Sequence, residues 1–334
     1  MPGADDASLT PGRASAEGAT APAATASGAA GATSPPFTHR FPYPGLRPFE
    51  DHEFDLFFGR TDQVDEIIDR VLATHFASVL GGSGCGKSSL VRAGVIPELR
   101  FRGDTWLQVV FNAGQRPVTR LAEALSGVLV KPTGDAAGRT SPAELRRLLS
   151  QQNGLAAVVD EFREDFIVRV RPDLPDGRTP GDDDDRRRLS ASAKLLILID
   201  QFEEIFAAET EEERGEAAQI VRLIVDSFEL RHPSIHLVLA MRSENLHSCT
   251  AYLDLPRVIN RSSYLVRRLD DSEIGRAIVE PARYCRKCLI GCLPPGADAS
   301  PVGAAEFDPE VVRRLREEVR LLRDDVDHLP LLQH

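Results

Sequence analysis

Short apolar runs alternate with segments of helical spacing through the middle of the chain, and that alternation predicts a parallel sheet wrapped by helices. Gln63 to Leu72 places Val64, Ile67, Ile68, Val71 and Leu72 on one face of an amphipathic helix, and Phe76 to Leu80 follows as an apolar strand. Ser89 to Ile96 has helical spacing again, and Pro97 is expected to end it. Trp106 to Phe111 reads as a second strand, and Val118 to Leu129 and Pro142 to Leu149 as helices. Leu195 to Asp200 is a buried strand with a carboxylate at its tip. Glu211 to Leu230 is a long helix with Ile220, Leu223, Ile224 and Phe228 on one face and an acidic start that suits the helix dipole. Ile235 to Met241 and Tyr264 to Leu269 supply two more strands, and Ser272 to Ala282 another helix. From Phe307 the alternation gives way to helix: Pro309 to Leu322 is strongly charged, with Val311, Val312, Leu315, Val319 and Leu322 as its apolar face.

The flanks differ in character. Residues 1–36 are rich in Ala, Gly, Ser, Thr and Pro without an aromatic or a contiguous apolar h-region, so a disordered leader over 1–40 is expected, not a signal peptide. Phe37 to Phe58 is the richest aromatic stretch and, with its prolines, is expected to lie extended over the domain. Residues 171–190, where Pro172, Pro175 and Pro180 are followed by Asp182 to Asp185 and Arg186 to Arg188, read as a solvated insertion. The expected organisation is the leader, an α/β domain over 41–285, and the start of a helical region over 286–334 that stops short of a folding unit.

Gly81-Gly-Ser-Gly-Cys-Gly-Lys-Ser88 fits G-x-x-x-x-G-K-[ST] and sits between a strand and a helix, the context this phosphate loop requires. Glycines at 81, 82, 84 and 86 remove the Cβ atoms that would keep backbone N–H groups from turning toward a polyphosphate at a helix N-terminus. Ser83, Cys85 and Ser89 complete the nucleotide-contacting stretch; Lys87 is expected to reach the β/γ-phosphates and Ser88 to hold Mg²⁺. Cys85, a thiol beside phosphate-binding amides, is either a small residue tolerated there or an oxidation-sensitive one.

Asp200 ends its strand where open α/β sheets bind ligands, and so can hold Mg²⁺ opposite Ser88. Glu203 and Glu204 follow closely enough for one of them, Glu203 by preference, to orient or deprotonate an attacking water. Arg242, at the tip of another strand, either senses a γ-phosphate or forms a surface ion pair. Arg60, just before the first helix, is either a surface charge or a nucleotide contact.

The net charge of −11 over 334 residues argues against a generally basic, nucleic-acid-coating surface. No run approaches the roughly eighteen apolar residues of a membrane span. Five cysteines, one of them in the phosphate loop, suit a reducing compartment, so a cytoplasmic protein is expected. Cys285, Cys288 and Cys292 form a C-x2-C-x3-C cluster that would need a fourth ligand to hold zinc.

Taken with Pro42-Tyr-Pro-Gly-Leu-Arg-Pro-Phe49, Phe57-Phe-Gly-Arg60, Ser88-Ser-Leu-Val-Arg-Ala-Gly94, Asp200-Gln-Phe-Glu-Glu204 and Leu329-Pro-Leu-Leu-Gln-His334, the chain resembles the bacterial novel STAND NTPase 1 group over 41–334. The resemblance implies an ASCE-type (AAA+-like) sheet in which another strand separates the Asp200 strand from the one feeding the phosphate loop, with a winged-helix region after it. It also implies an ATP/ADP signalling switch that self-associates with ATP bound and works alongside sensor and effector regions. Gly59 and Arg60 match the family's nucleotide-proximal pair, Arg242 its first sensor, and Pro330 the proline that faces the base. An AAA+-like DNA-binding initiator or loader shares these nucleotide motifs and is the alternative.

Overall fold

The computed structural model describes residues 41–102, 105–129, 140–163, 193–291 and 307–321. The leader, the 171–190 insertion, Cys292 and Pro330 lie outside the described residues, as does the side chain of Cys288.

Five strands form one parallel sheet: β1 Phe76–Gly81, β2 Thr105–Asn112, β3 Ala193–Asp200, β4 Ile235–Arg242 and β5 Ser263–Leu265, in the order β2-β3-β4-β1-β5. β4 therefore lies between the phosphate-loop strand and the Asp200 strand, as the resemblance implied. Strand side chains alternate between two apolar layers. Phe76 and Leu80, with Leu195, Ile197 and Ile199 and with Leu237, Leu239 and Met241, face helices α4 (Pro117–Val128), α5 (Pro142–Leu149), α6 (Gly154–Glu161), α7 (Glu211–Leu230) and α8 (Leu255–Ser262). Ala77, Val79, Leu196, Leu198, Val238 and Ala240 face α1 (Thr61–Thr74) and the helix that follows the phosphate loop. Covering both faces is what turns β3 into an unbroken apolar run instead of an alternating one.

The helix after the loop departs from expectation. It opens as α2 (Lys87–Ser89), widens into a π-turn over Leu90–Val95 in which the Ile96 N–H reaches the Val91 carbonyl, and continues as α3 (Ile96–Phe101). Pro97 does not end it, because the π-turn restarts the α-helix at Ile96 and leaves the proline in a first turn that needs no donor. Gly94 brings this helix against α1: a Cβ there would lie 2.5 Å from Val64 Cγ2 and 3.2 Å from the Phe57 ring.

Other differences follow from packing. α6 and α8 had no sequence expectation, and their apolar residues Leu155, Val158, Val159, Val258 and Ile259 are buried in the α4–α7 layer. β5 is three residues, not the six of Tyr264 to Leu269, since it is an edge strand paired only to β1. Helix α9 spans Asp271–Gly291 and carries Pro281 inside it, so the expected boundary at 285 falls within a helix. α10 (Pro309–Leu321) packs on it through Val319 against Ile274 and Ile278. Of the aromatic segment, residues 41–58 are described: Phe49 and Leu56 are buried against Ala93, and a 3-10 helix over Asp51–Leu56 stands where an extended chain was expected. Among the described residues, no helix is long and apolar enough to cross a membrane.

Candidate functional site

The parallel register of β1 and β4 sets Gly81 opposite Arg242, and that of β2 and β3 sets Asn112 opposite Asp200. The strand tips therefore deliver a phosphate loop, an arginine and a carboxylate to one edge of the sheet. A cleft of about 300 Å³ opens there, within the range of small-molecule sites. Ser83, Gly84, Gly86, Lys87, Ser88 and Ser89 form one wall, and Asp200, Glu203 and Arg242 another.

In the loop, Gly84 and Gly86 adopt φ of 65° and 87°, a backbone that side chains disfavour and that turns successive amides inward. The Lys87 ammonium donates to the carbonyls of Gly81 and Gly82 at 2.9 and 2.7 Å and lies 3.9 Å from Cys85 Sγ. Ser88 Oγ donates to Asp200 Oδ1 at 3.0 Å, and the Gln201 N–H donates to the same oxygen at 3.0 Å. A hydroxyl beside a carboxylate is an oxygen donor set of the kind a hard divalent cation prefers.

The two glutamates separate. Glu203 faces the cleft, with Oε1 3.1 Å from Arg242 Nε and Oε2 accepting the Arg242 N–H at 3.2 Å. Glu204 turns away and accepts the Gly114 N–H at 2.9 Å, at the end of β2. Arg242 is thus both on the cleft wall and half of an ion pair.

Residues 42–288 match the model of a protein family described as novel STAND NTPase 1. The chain belongs to that family. This NTPase is also similar in fold to a Walker-type ATPase of Pyrococcus abyssi, at 12% identity over 85% of this chain and 78% of that one, with a TM-score of 0.41. Cdc6p of Pyrobaculum aerophilum follows at 15% identity, 78% and 60% coverage and a TM-score of 0.38. The ORC2 protein of Aeropyrum pernix, solved as ADPNP–ADP complexes, gives 13% identity, 81% and 66% coverage and a TM-score of 0.38. No curated protein matches at a significant level.

Arg60 of this NTPase is buried, at 4% exposure, and is no surface charge. Its guanidinium donates to Gln63 at 2.7 Å and to the Cys85 carbonyl at 2.8 Å, so it braces the phosphate loop from behind while still lining the cleft. Burial holds its pKa below the ordinary arginine value. Gly59 is not on the cleft wall; its φ of 87° and the Glu273 carbonyl, 2.5 Å from where a Cβ would stand, make it the close approach between the loop-bracing arginine and α9. Glu273 is held by a two-pronged pair with Arg267 at 2.6 and 2.7 Å, which keeps its carboxyl below the usual carboxylate range.

Two features of the site were not foreseen. Gly45, Leu46, Arg47 and Pro48 line the cleft, and the segment they belong to is seated by the Phe49 N–H on Ser89 Oγ at 3.1 Å and by an Arg47–Glu53 fork at 2.6 and 2.7 Å. Ser89 therefore holds this segment as well as facing the cleft. The second is Arg92, a lone charge in the apolar run Leu90-Val-Arg-Ala-Gly-Val-Ile96, which donates to Asp200 Oδ2 at 3.1 Å. A cation in the middle of a buried helix face is itself the signal that a carboxylate awaits it.

Proposed function

We propose that this NTPase is an ATP-binding, slowly hydrolysing signal-transduction switch of the bacterial cytoplasm, changing conformation or self-associating with nucleotide state. The observation that carries the reading is the Glu203–Arg242 pair on the cleft wall, beside Lys87, Ser88 and Asp200.

In this reading the glycine loop and Lys87 bind the phosphates, with Arg60 bracing the loop, and Ser88 and Asp200 are the residues that would hold Mg²⁺. The cation would neutralise phosphate charge. Glu203 accepts a proton from the attacking water, whose oxygen takes the γ-phosphorus as the bond to the β-phosphate oxygen breaks, giving ADP and phosphate. Arg242 occupies both oxygens of the Glu203 carboxylate, so turnover waits on Arg242 leaving it to the water. A γ-phosphate offers Arg242 an alternative anionic partner, which ADP does not. Nucleotide state and strand-tip geometry are thereby coupled. A full switch from about 1:99 to 99:1 requires about 5.5 kcal/mol of differential binding, and contacts to the γ-phosphate are its source.

The test is the nucleotide carried through purification, released by denaturation and identified by chromatography, with Lys87→Ala as control and oligomeric state measured with ADP and with a non-hydrolysable ATP analogue. Tightly held ADP, absent from the variant, and a larger assembly with the analogue are expected. An empty protein that turns over ATP steadily and faster with DNA would overturn the switch in favour of a loader.

A further inference from the structure

Asp200 is 3% exposed, and its two oxygens have different partners. Oδ1 takes Ser88 Oγ and the Gln201 N–H, while Oδ2 takes the guanidinium of Arg92 at 3.1 Å. The same guanidinium spans to Glu50, 2.9 Å from Oε1 and 3.2 Å from Oε2, and touches Asn112 Oδ1 at 3.4 Å. Arg92 is largely buried, its side chain 17% exposed, whereas Glu50 is 38% exposed and stands at the N-cap of the Asp51–Leu56 3-10 helix. A second recess, of about 390 Å³, is lined by Glu50, Arg92 and Arg100 and opens at this outer end of the guanidinium.

One cation shared between two carboxylates cannot serve both fully. Whatever draws negative charge from Asp200 releases Arg92 toward Glu50, and whatever removes Glu50 drives Arg92 onto Asp200. We infer that Arg92 is a positioning residue that links the cation-holding carboxylate of Asp200 to Glu50, so that Mg²⁺ at the nucleotide and the seating of residues 42–50 regulate each other. The inference rests on the nucleotide reading above. Its physical content is a sign: Arg92 opposes a dication at Asp200, and Glu50 relieves that opposition. Linkage makes the effect reciprocal, so Mg²⁺ with nucleotide, by releasing Arg92 toward Glu50, in turn tightens the seating of the segment that ends at Glu50.

The experiment is a Mg²⁺ titration of a bound fluorescent ATP analogue on the full chain, in wild type, Arg92→Gln, Arg92→Lys and Glu50→Gln, with thermal melting of each. Arg92→Gln is expected to lower the half-saturating Mg²⁺ concentration by about tenfold, and Glu50→Gln to raise it by roughly three- to tenfold. Arg92→Lys keeps the charge and stays near wild type. Amide exchange at Phe49 should respond to Mg²⁺ in wild type and not in Arg92→Gln. Shifts of Arg92→Gln and Glu50→Gln in the same direction, or none in either, overturn the inference while leaving nucleotide binding standing, because a purely structural role moves both variants together with their melting. Should Arg92→Gln fail to fold, the solvent-accessible Glu50→Gln change decides alone. A wild type that binds no analogue at any Mg²⁺ concentration overturns both readings.

Discussion

The Nε of Arg242 lies 3.1 Å from Oε1 of Glu203, and the Arg242 backbone N–H donates to Oε2 of the same carboxylate at 3.2 Å. A side chain from the tip of β4 is thus clamped on the turn that follows β3. The pair sets two outcomes apart. Glu203→Gln is expected to retain ATP and slow single-turnover hydrolysis by about 100-fold or more, the scale of a lost general base. Glu204→Gln, acting through the Gly114 N–H, should slow it far less. Arg242→Ala should instead lower the preference for ATP over ADP, read from the two dissociation constants. Equal hydrolysis in Glu203→Gln and wild type would remove Glu203 from the base role.

Lys87 is held by two loop carbonyls and is not part of the apolar layers, so its removal should leave the fold intact. Lys87→Ala is expected to weaken nucleotide binding by about 10- to 100-fold, the worth of charge-assisted hydrogen bonds to phosphate. Calorimetric titration measures the loss, and an unchanged melting temperature shows that it is local.

Gly59→Ala tests the passage beneath the phosphate loop. Its φ of 87° and the Glu273 carbonyl at 2.5 Å from the added Cβ give two independent penalties. A stability loss of about 1–3 kcal/mol is expected in denaturant unfolding, with weakened nucleotide binding because Arg60 is the next residue. Wild-type stability in this variant would show that α9 yields easily.

Acid stability reports on the opposite end of the sheet. His236, packed between His75 and Trp106 with Lys194 nearby, has its pKa pushed down by burial to about 3. The folded state keeps it neutral while the unfolded chain takes up a proton at about 6.5. Stability is therefore full above that value and declines as pH falls toward 3, by about 1.4 kcal/mol at roughly pH 5.5. His236→Gln should flatten that part of the stability profile, measured by urea unfolding. His232 shifts in the same direction, so a smaller slope will remain.

The local patterns were legible before any fold. A phosphate loop declares itself by glycine spacing and a Lys-Ser pair, and its strand–loop–helix setting is contiguous in sequence. Asp200 announced its position as the first polar residue after a buried run, and Glu211–Leu230 and Pro142–Leu149 ended where their amphipathic spacing ended. Pro97 misled for a local reason as well: a proline stops an α-helix, but a π-turn immediately before it does not leave the donor it lacks unmet. The short helices α6 and α8 were not legible because eight residues give little periodicity and their apolar faces acquire meaning only against α7 and the sheet.

By itself the sequence determined that a glycine-rich loop of the G-x-x-x-x-G-K-[ST] pattern, a strand-end carboxylate and following glutamates occur in one α/β chain, since each depends on residues near one another along it. Only the tertiary structure decided which of them meet. The β2-β3-β4-β1-β5 order brings Arg242 opposite Gly81 and onto Glu203, turns Glu204 to Gly114, buries Arg60 under the loop and sets Arg92 between Asp200 and Glu50. Those pairings join residues from 25 to more than 150 positions apart, and they are chosen by which faces can be buried together and which charges can then be paired.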